Sequence, residues 1–593
     1  MTALWAWLSD DLTAGATVAA AMGRALRVDA GQVEAHWSVG PLHVGLLEIP
    51  GDTADYAPVT SEGDRYYLWL AGEAFEGGGL VRVTDAAATR TPAFRRALLN
   101  ALLARGADAL AELDGEYHVV LWDARDRELT IANDRFGGMP FYWTQAPGGF
   151  ACAAGVRGVL AAPSVSRDPD VEAIREAVTF GGYRLGDRTQ VSSVKMLPGA
   201  SVLTVQGGAP RLRRYWTWGA IPPERERPLA ALVDELDARW RQSIRRRLDG
   251  AQRPGQTLSG GLDSRAILAE ARPRVPSWVG ITYGLPGCDD ARYAEQAARA
   301  CGATWIFQPL YRDGWLDERD AFIQPTDGLI DLIDLCHLET LGLQRRMIDV
   351  HLSGYVGDAV AGGTFNFDEP ERVLDSMPFY ETPLGLDRAE AQRRIDACVA
   401  ALDGAPARFA LFEHKLPQAV NRWSAAWRPW LRVRKPFVDY AVFDFCQGLP
   451  VSARAGDRLR QGWLRARYPS LFATIPQEKT GMPVGTPPWR VTVERARRFA
   501  WRKVQPRLLR LGFDARPRVR SYRDDDGALA SVRGRIEAVL DDDSLCASIF
   551  GREPLRATLS QFFRGEAPVQ VIGALYSFER YHRGLGAWLA ARA

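Results

Sequence analysis

An excess of charge of either sign is missing from this chain: 74 Lys and Arg stand against 72 Asp and Glu, a formal net charge of +2. So even a balance gives bulk electrostatics no pull toward nucleic acid. Cysteine is scarce and has no paired pattern. The seven cysteines are scattered, with no Cys-x-x-Cys, which argues against a disulfide frame or a zinc site and fits free thiols in a reducing cytoplasm. The seven histidines form no cluster, and His337 and His351 sit in apolar contexts that suit packing. No apolar run is long enough to span a bilayer, and residues 1–10 have neither the basic start nor the long apolar core of a secretory signal. Internal repeats and low-complexity tracts are absent as well.

What remains is an ordinary soluble composition, 47% hydrophobic and 25% charged, over 593 residues, long enough for more than one domain. Between residues 30 and 205, short apolar runs such as Tyr66–Leu70, Tyr117–Trp122 and Val202–Val205 are broken by Gly, Pro and Asp, and read as antiparallel strands. Ile221-Pro-Pro-Glu-Arg-Glu-Arg-Pro228 is a linker by composition. Beyond it Leu232, Leu236, Trp240, Ile244 and Leu248 recur at helical spacing. Trp278–Tyr283 and Val350–Ser353 read as buried strands, the second ending in a turn at Gly354. Strand, helix and strand on that scale predict a parallel sheet with ligands at its carboxyl ends. The expected fold is therefore α/β and multidomain: a sheet-rich domain over 1–218, a linker over 219–228, and a parallel α/β domain with extra helices over 229–593.

The densest chemistry lies in Gln256-Thr-Leu-Ser-Gly-Gly-Leu-Asp-Ser-Arg265. Paired glycines and small hydroxyls after an apolar lead-in are what a strand-loop-helix turn needs to grip phosphate. Gly260 and Gly261 let the backbone come close, and Ser259, Ser264 and the first N–H groups of the next helix donate. Asp263 is out of place beside phosphates unless a divalent cation joins it. No Gly-Lys-Ser/Thr follows, so this is not a Walker loop. The string resembles the pyrophosphate loop of N-type ATP pyrophosphatases, which adenylate a carboxyl or carbonyl oxygen.

Further strings extend the resemblance. Leu113-Asp-Gly-Glu-Tyr-His-Val-Val-Leu-Trp-Asp123, Asn133-Asp-Arg-Phe-Gly-Gly-Met-Pro-Phe-Tyr142 and Met196-Leu-Pro-Gly-Ala200 are similar to the glutaminase domain of class B asparagine synthetases. Leu352-Ser-Gly-Tyr-Val-Gly-Asp-Ala-Val-Ala-Gly-Gly363 and Arg434-Lys-Pro-Phe-Val-Asp439 resemble that family's synthetase domain. The resemblance implies an N-terminal Ntn-hydrolase-like domain and a C-terminal ATP-pyrophosphatase domain, with ATP and Mg²⁺ as cofactors. Glutamine-dependent members carry a cysteine after the initiator methionine. Here that residue is Thr2, so the first domain is expected to be a degenerate amidotransferase that releases no ammonia.

The branches that use an amine already on the substrate are β-lactam synthetases, carbapenam synthetases and lasso peptide cyclases. Tyr355 stands where β-lactam synthetase places a tyrosine, and the resemblance makes it a general base, with Glu413 as the candidate partner. It also implies Asp263 and Asp358 on magnesium and Lys479 beside the α-phosphate and the developing oxyanion. Leu258, Thr282, Asp290 and Gly354 are assigned to the nucleotide, although an Asp in the position of Asp290 also serves as a helix N-cap. The tryptophan cluster Trp423, Trp427, Trp430 and the arginine-rich stretch Arg490–Arg523 suit a peptide groove, and suit equally a buried core and a solvated helix. The expected function is lasso peptide cyclisation of a precursor core peptide, with a leader peptidase and a leader-recognition protein as partners. β-Lactam-type ligation, ammonia-dependent asparagine synthesis and a non-catalytic binding scaffold stay open as alternatives.

Overall fold

The computed structural model describes residues 3–592 except 53, 77–88, 90, 164 and 511–520. Thr2 and part of the Arg490–Arg523 stretch thus lie outside the described residues.

The first half folds as two antiparallel six-stranded sheets. Ala3–Leu8 pairs with Leu42–Glu48 on one side and Gly149–Ala153 on the other. Asp114–Asp123 runs between Tyr66–Glu76 and Glu128–Asn133, with Ser201–Gln206 beyond. Because successive strand residues point to opposite faces, Leu4 and Ala6 meet Trp69 and Trp122 between the sheets. Trp5 and Trp7 turn outward to Val18 and Met22 of the helix Leu12–Leu26. All three strands expected from the apolar runs are present.

The linker carries no regular element between Ala220 and Leu229, and it is pinned where the Glu224 N–H donates to Gly448 O at 2.8 Å. Helix Leu229–Leu248 follows with Leu232, Leu236, Trp240, Ile244 and Leu248 all buried. Trp240 packs on Phe437 at 4.5 Å and Trp463 at 5.4 Å, a burial worth roughly 1.5–3 kcal/mol per large side chain.

The second half is built on a five-stranded, all-parallel sheet. Its spatial order is Thr304–Pro309, Val279–Gly284, Pro254–Thr257, Val350–Leu352, Arg432–Arg434. The chain leaves Pro254–Thr257 toward one edge and returns at Val350–Leu352 to build toward the other. That reversal opens a crevice at the carboxyl ends of those two neighbours. The loop after the first is Leu258–Gly261, and the loop after the second is Ser353–Val356. Topology alone therefore brings the two motifs together. No described helix is long and apolar enough to cross a membrane, and all seven cysteines are free thiols.

The strings 113–123, 133–142 and 434–439 meet at the seam between the halves, where buried charges find fixed partners. Arg434 makes two bonds to Glu73 at 2.9 and 2.8 Å. Arg247 bridges Asp439 at 2.6 Å and Asp114 at 3.2 Å. Lys435 and Arg428 share Glu116, and Arg135 binds Asp444 with its guanidinium 3.8 Å above the Tyr440 ring.

Candidate functional site

A cavity of about 320 Å³ opens at the reversal point. Leu258, Ser259, Gly261, Asp263 and Ser264 line it from the first loop, and Gly354 and Tyr355 from the second. Thr282 and Asp290 close one wall. Tyr283, Glu478 and Tyr522, to which the sequence assigned no role, line it as well.

Several of the loop's groups hold the loop itself. Ser259 Oγ and Ser264 Oγ lie 3.0 Å apart, and the Ser259 N–H donates to Ser264 Oγ at 3.1 Å. The lead-in is less apolar than expected: Gln256 is fully buried and its amide donates to Ser264 O at 3.0 Å. Thr282 Oγ1 donates to Leu258 O at 2.6 Å, tying the ends of two strands. Gly260 departs from the expected role. Its N–H donates to Asp290 Oδ1 at 2.7 Å and its α-carbon backs onto Tyr293, so it braces the turn rather than facing the cavity. Asp290 is accordingly a loop-holding carboxylate in the first turn of Asp289–Cys301, whose N-cap is Cys288. The helix Leu262–Ala271 starts from Gly261 with no side-chain cap, the kind of N-terminus that can receive an anion.

Asp263 and Asp358 are neighbours across the two loops. A Cβ on Gly357 would come within 2.5 Å of Asp263 Cγ, so only glycine allows this approach. Val356, a β-branched residue, sits at φ +61°, a strained conformation held beside the site. Burial pushes the Asp263 carboxyl up to about 6, while Arg460 pulls it down and Asp358 adds to the rise. Arg460 Nη1 donates to Asp263 Oδ1 at 2.8 Å and the same guanidinium holds Asp457. Burial likewise raises Asp290 to about 6, with Glu478 contributing. Carboxylates short of positive charge suit a divalent cation. Among the described residues no three His, Cys, Asp or Glu side chains gather to hold one alone. Asp263 and Asp358 are hard oxygen donors that fit Mg²⁺, which would complete its shell with phosphate oxygens and water.

Tyr355 stacks on Trp427 at 6.3 Å and leans on Trp423 at 5.3 Å. Its phenol is driven well above the ordinary range by burial, and Asp334 is the carboxylate that adds to the rise. Asp334 is held by Arg523 Nη1 at 3.2 Å. The expected pairing with Glu413 is corrected. Glu413 is bound by Arg214 and by Trp218 Nε1 at 2.6 Å, on the side facing the first domain, and does not line the cavity.

Lys479 is exposed, next to the cavity-lining Glu478, in a loop that is tied to the phosphate turn. Arg265 donates to Gly261 O at 2.9 Å and to Leu471 O and Ile475 O at 3.3 Å. Of the tryptophans, Trp427 is wholly buried and Trp430 donates to Asp29 at 2.6 Å. Only Trp423 and Trp427 reach Tyr355. His337 and His351 are core residues, held at about 4 and about 3 by burial.

Residues 31–216 match the family model of the glutamine amidotransferase domain, and residues 235–537, just over half the chain, match that of asparagine synthase. The chain belongs to the asparagine synthase family. Relatives include asparagine synthetase (glutamine-hydrolyzing) 3 of Bacillus subtilis, 26% identical over 485 residues, covering 73% of this chain and 77% of that protein. A Mycobacterium tuberculosis protein provisionally named asparagine synthetase (glutamine-hydrolyzing) is 27% identical over 338 residues, 55% of this chain and 51% of that one. The chain thus spans about half the length of the mycobacterial relatives.

Proposed function

We propose that the protein is an ATP-dependent, AMP-forming amide ligase that joins a carboxylate to an amine carried by the same peptide, as lasso peptide cyclases do. The observation that carries this reading is the convergence of the pyrophosphate-type loop, Asp263 and Tyr355 on one cavity at the sheet reversal. A carboxylate oxygen attacks the α-phosphorus of ATP, and the bond to the bridging oxygen breaks with its electrons leaving on pyrophosphate. The amine then attacks the acyl carbon and AMP departs. Magnesium would supply charge neutralisation on the phosphates, held by Asp263 and Asp358. The N–H groups of helix Leu262–Ala271 receive phosphate oxygen, and Lys479 at the mouth offers charge to the developing oxyanion. Tyr355 is a poor base on its own, because burial keeps it protonated. It hands the ammonium proton toward Asp334, a role replacing the one assigned to Glu413.

The aromatic wall of Tyr283, Tyr355 and Tyr522 backed by Trp423 suits a peptide better than a single free amino acid. The first domain offers no internal thiol for glutamine: Cys152 is fully buried and its thiol is pushed up by that burial. Asparagine synthesis is the second reading, favoured by the relatives' names, with free ammonia in place of the glutamine that those names specify. In Tyr355→Phe, pyrophosphate release with a peptide should persist while amide formation slows by about 10²–10⁴-fold. Amide formation at the wild-type rate would remove Tyr355 from the mechanism.

A further inference from the structure

Lysine is rare here: Lys195, Lys415, Lys435, Lys479 and Lys503 are the only ones among 74 basic residues. The ion pairs that hold the fold are made almost wholly by arginine, whose planar fork suits fixed carboxylate partners. Lys435 is bound into the seam through Glu116. Lys415 differs. It is half-buried, yet among the described residues it makes no hydrogen bond or ion pair, and its Nζ lies 5.1 Å from the Phe365 ring centroid. Burial lowers its affinity for a proton, and the charges it feels are Asp358 and Lys479. Both belong to the proposed nucleotide site.

The local backbone explains its placement. Lys415 ends the helix Phe409–Lys415, and Pro417, which has no N–H to continue the ladder, follows in the π turn Leu416–Asn421. The turn is anchored beyond the lysine, where Asn421 Nδ2 donates to Phe136 O at 3.0 Å and Gly137 O at 2.8 Å. In front of Lys415 lies a small pocket lined with Tyr183, Phe365, Met377, Pro378 and Leu411. Thr364, next to Phe365, donates to Asp358 Oδ2 at 3.0 Å, so this pocket adjoins the loop that carries the candidate magnesium ligand.

We propose that Lys415 receives the carboxylate to be activated, an acidic side chain of a peptide, while the adjoining pocket takes an apolar residue near it. The inference rests on the amide-ligase reading. Two anions must meet for the first step, the substrate carboxylate and the α-phosphate, and a half-buried cation with no ion-pair partner among the described residues offsets their repulsion. No proton moves when the carboxylate oxygen bonds to phosphorus and pyrophosphate leaves, so Lys415 acts as a fixed charge throughout. Arginine in its place would carry the charge with a bulkier head.

The test uses the whole chain, MgATP and a peptide with a free N-terminal amine and one internal Asp, beside the same peptide with Asn there. Lys415→Met keeps the stem's apolar contacts and removes the charge. It should raise the KM for the Asp peptide at least about tenfold in pyrophosphate release, leave the KM for ATP within about twofold, and keep the wild-type melting temperature. Lys415→Arg should recover most of the loss. An unchanged peptide KM, or an equal rise in both KM values, overturns the proposal. A second measurement needs no turnover: trinitrobenzenesulfonate modification of the wild type, mapped by mass spectrometry. The Asp peptide should slow modification of Lys415 and the Asn peptide should not. Equal rates with both peptides overturn the carboxylate role, even if the wild type releases no pyrophosphate and the ligase reading falls on its own.

Discussion

Two regions of this molecule bury charge, and they treat it in opposite ways. At the seam, Arg434, Arg247, Lys435 and Arg135 each meet a carboxylate of fixed position, and Arg247 meets one from each domain at once. At the sheet reversal, Asp290 accepts from the Gly260 N–H, Asp263 shares Arg460 with Asp457, and Lys415 has no ion-pair partner among the described residues. Burying charge without enough counter-charge is costly, and proteins keep such groups where a ligand supplies what is missing. On the proposed reading, the same residue types mark structure in one place and a binding site in the other. The family strings around Asp114, Asn133 and Arg434, which a motif search reads as functional, belong to the first kind.

That contrast breaks most visibly at Arg434. Arg434→Met leaves Glu73 buried without its bidentate partner and should cost about 3–5 kcal/mol, read as a large fall in denaturant midpoint. A change under about 1 kcal/mol would show the seam to be solvated. Asp263→Asn should do the reverse: pyrophosphate release is abolished, while the melting temperature holds because Arg460 keeps its two bonds to Asp457. Gly357→Ala should also abolish release, since its methyl group would displace Asp263, and here glycine is the conservative choice.

A smaller effect sharpens the same point through pH. The Asp290 carboxyl is raised from 3.8 to about 6 in the fold, so the folded state binds more protons than the unfolded one between those values. Stability contributed by Asp290 therefore falls as pH rises through that window, by up to about 1–3 kcal/mol. Asp290→Asn, which can still accept from the Gly260 N–H, should be more stable than wild type at pH 8 and lose that advantage near pH 4. A variant that is less stable at pH 8 would mean the charge is well compensated.

Much of this was legible in the sequence, and the parts that were not have physical reasons. Helical spacing from Leu232 to Leu248 and the apolar runs at Tyr66, Tyr117 and Val202 gave elements where they stand, because local pattern decides those. The strand, helix, strand order gave the parallel sheet and a site at its carboxyl ends, and the family resemblance, not strand order, set Asp263 beside Asp358. Glu413 was misplaced because the partners that hold it, Arg214 and Trp218, lie about 200 residues earlier in the chain, which no local spacing records. Gly260 was misread because its partner, Asp290, lies in another strand-helix unit. Arg460, Asp334 and Lys415 carry no local motif at all. Only for Lys415 was a signal available, the scarcity of lysine in a chain that otherwise uses arginine.

The most direct test of the proposed chemistry is the intact mass of a peptide with a free N-terminal amine and one internal Asp after incubation with the wild type and MgATP. Loss of one water from the peptide, matched by equal AMP and pyrophosphate, is the expected result. An unchanged peptide, together with asparagine made from free aspartate and ammonia, would contradict it.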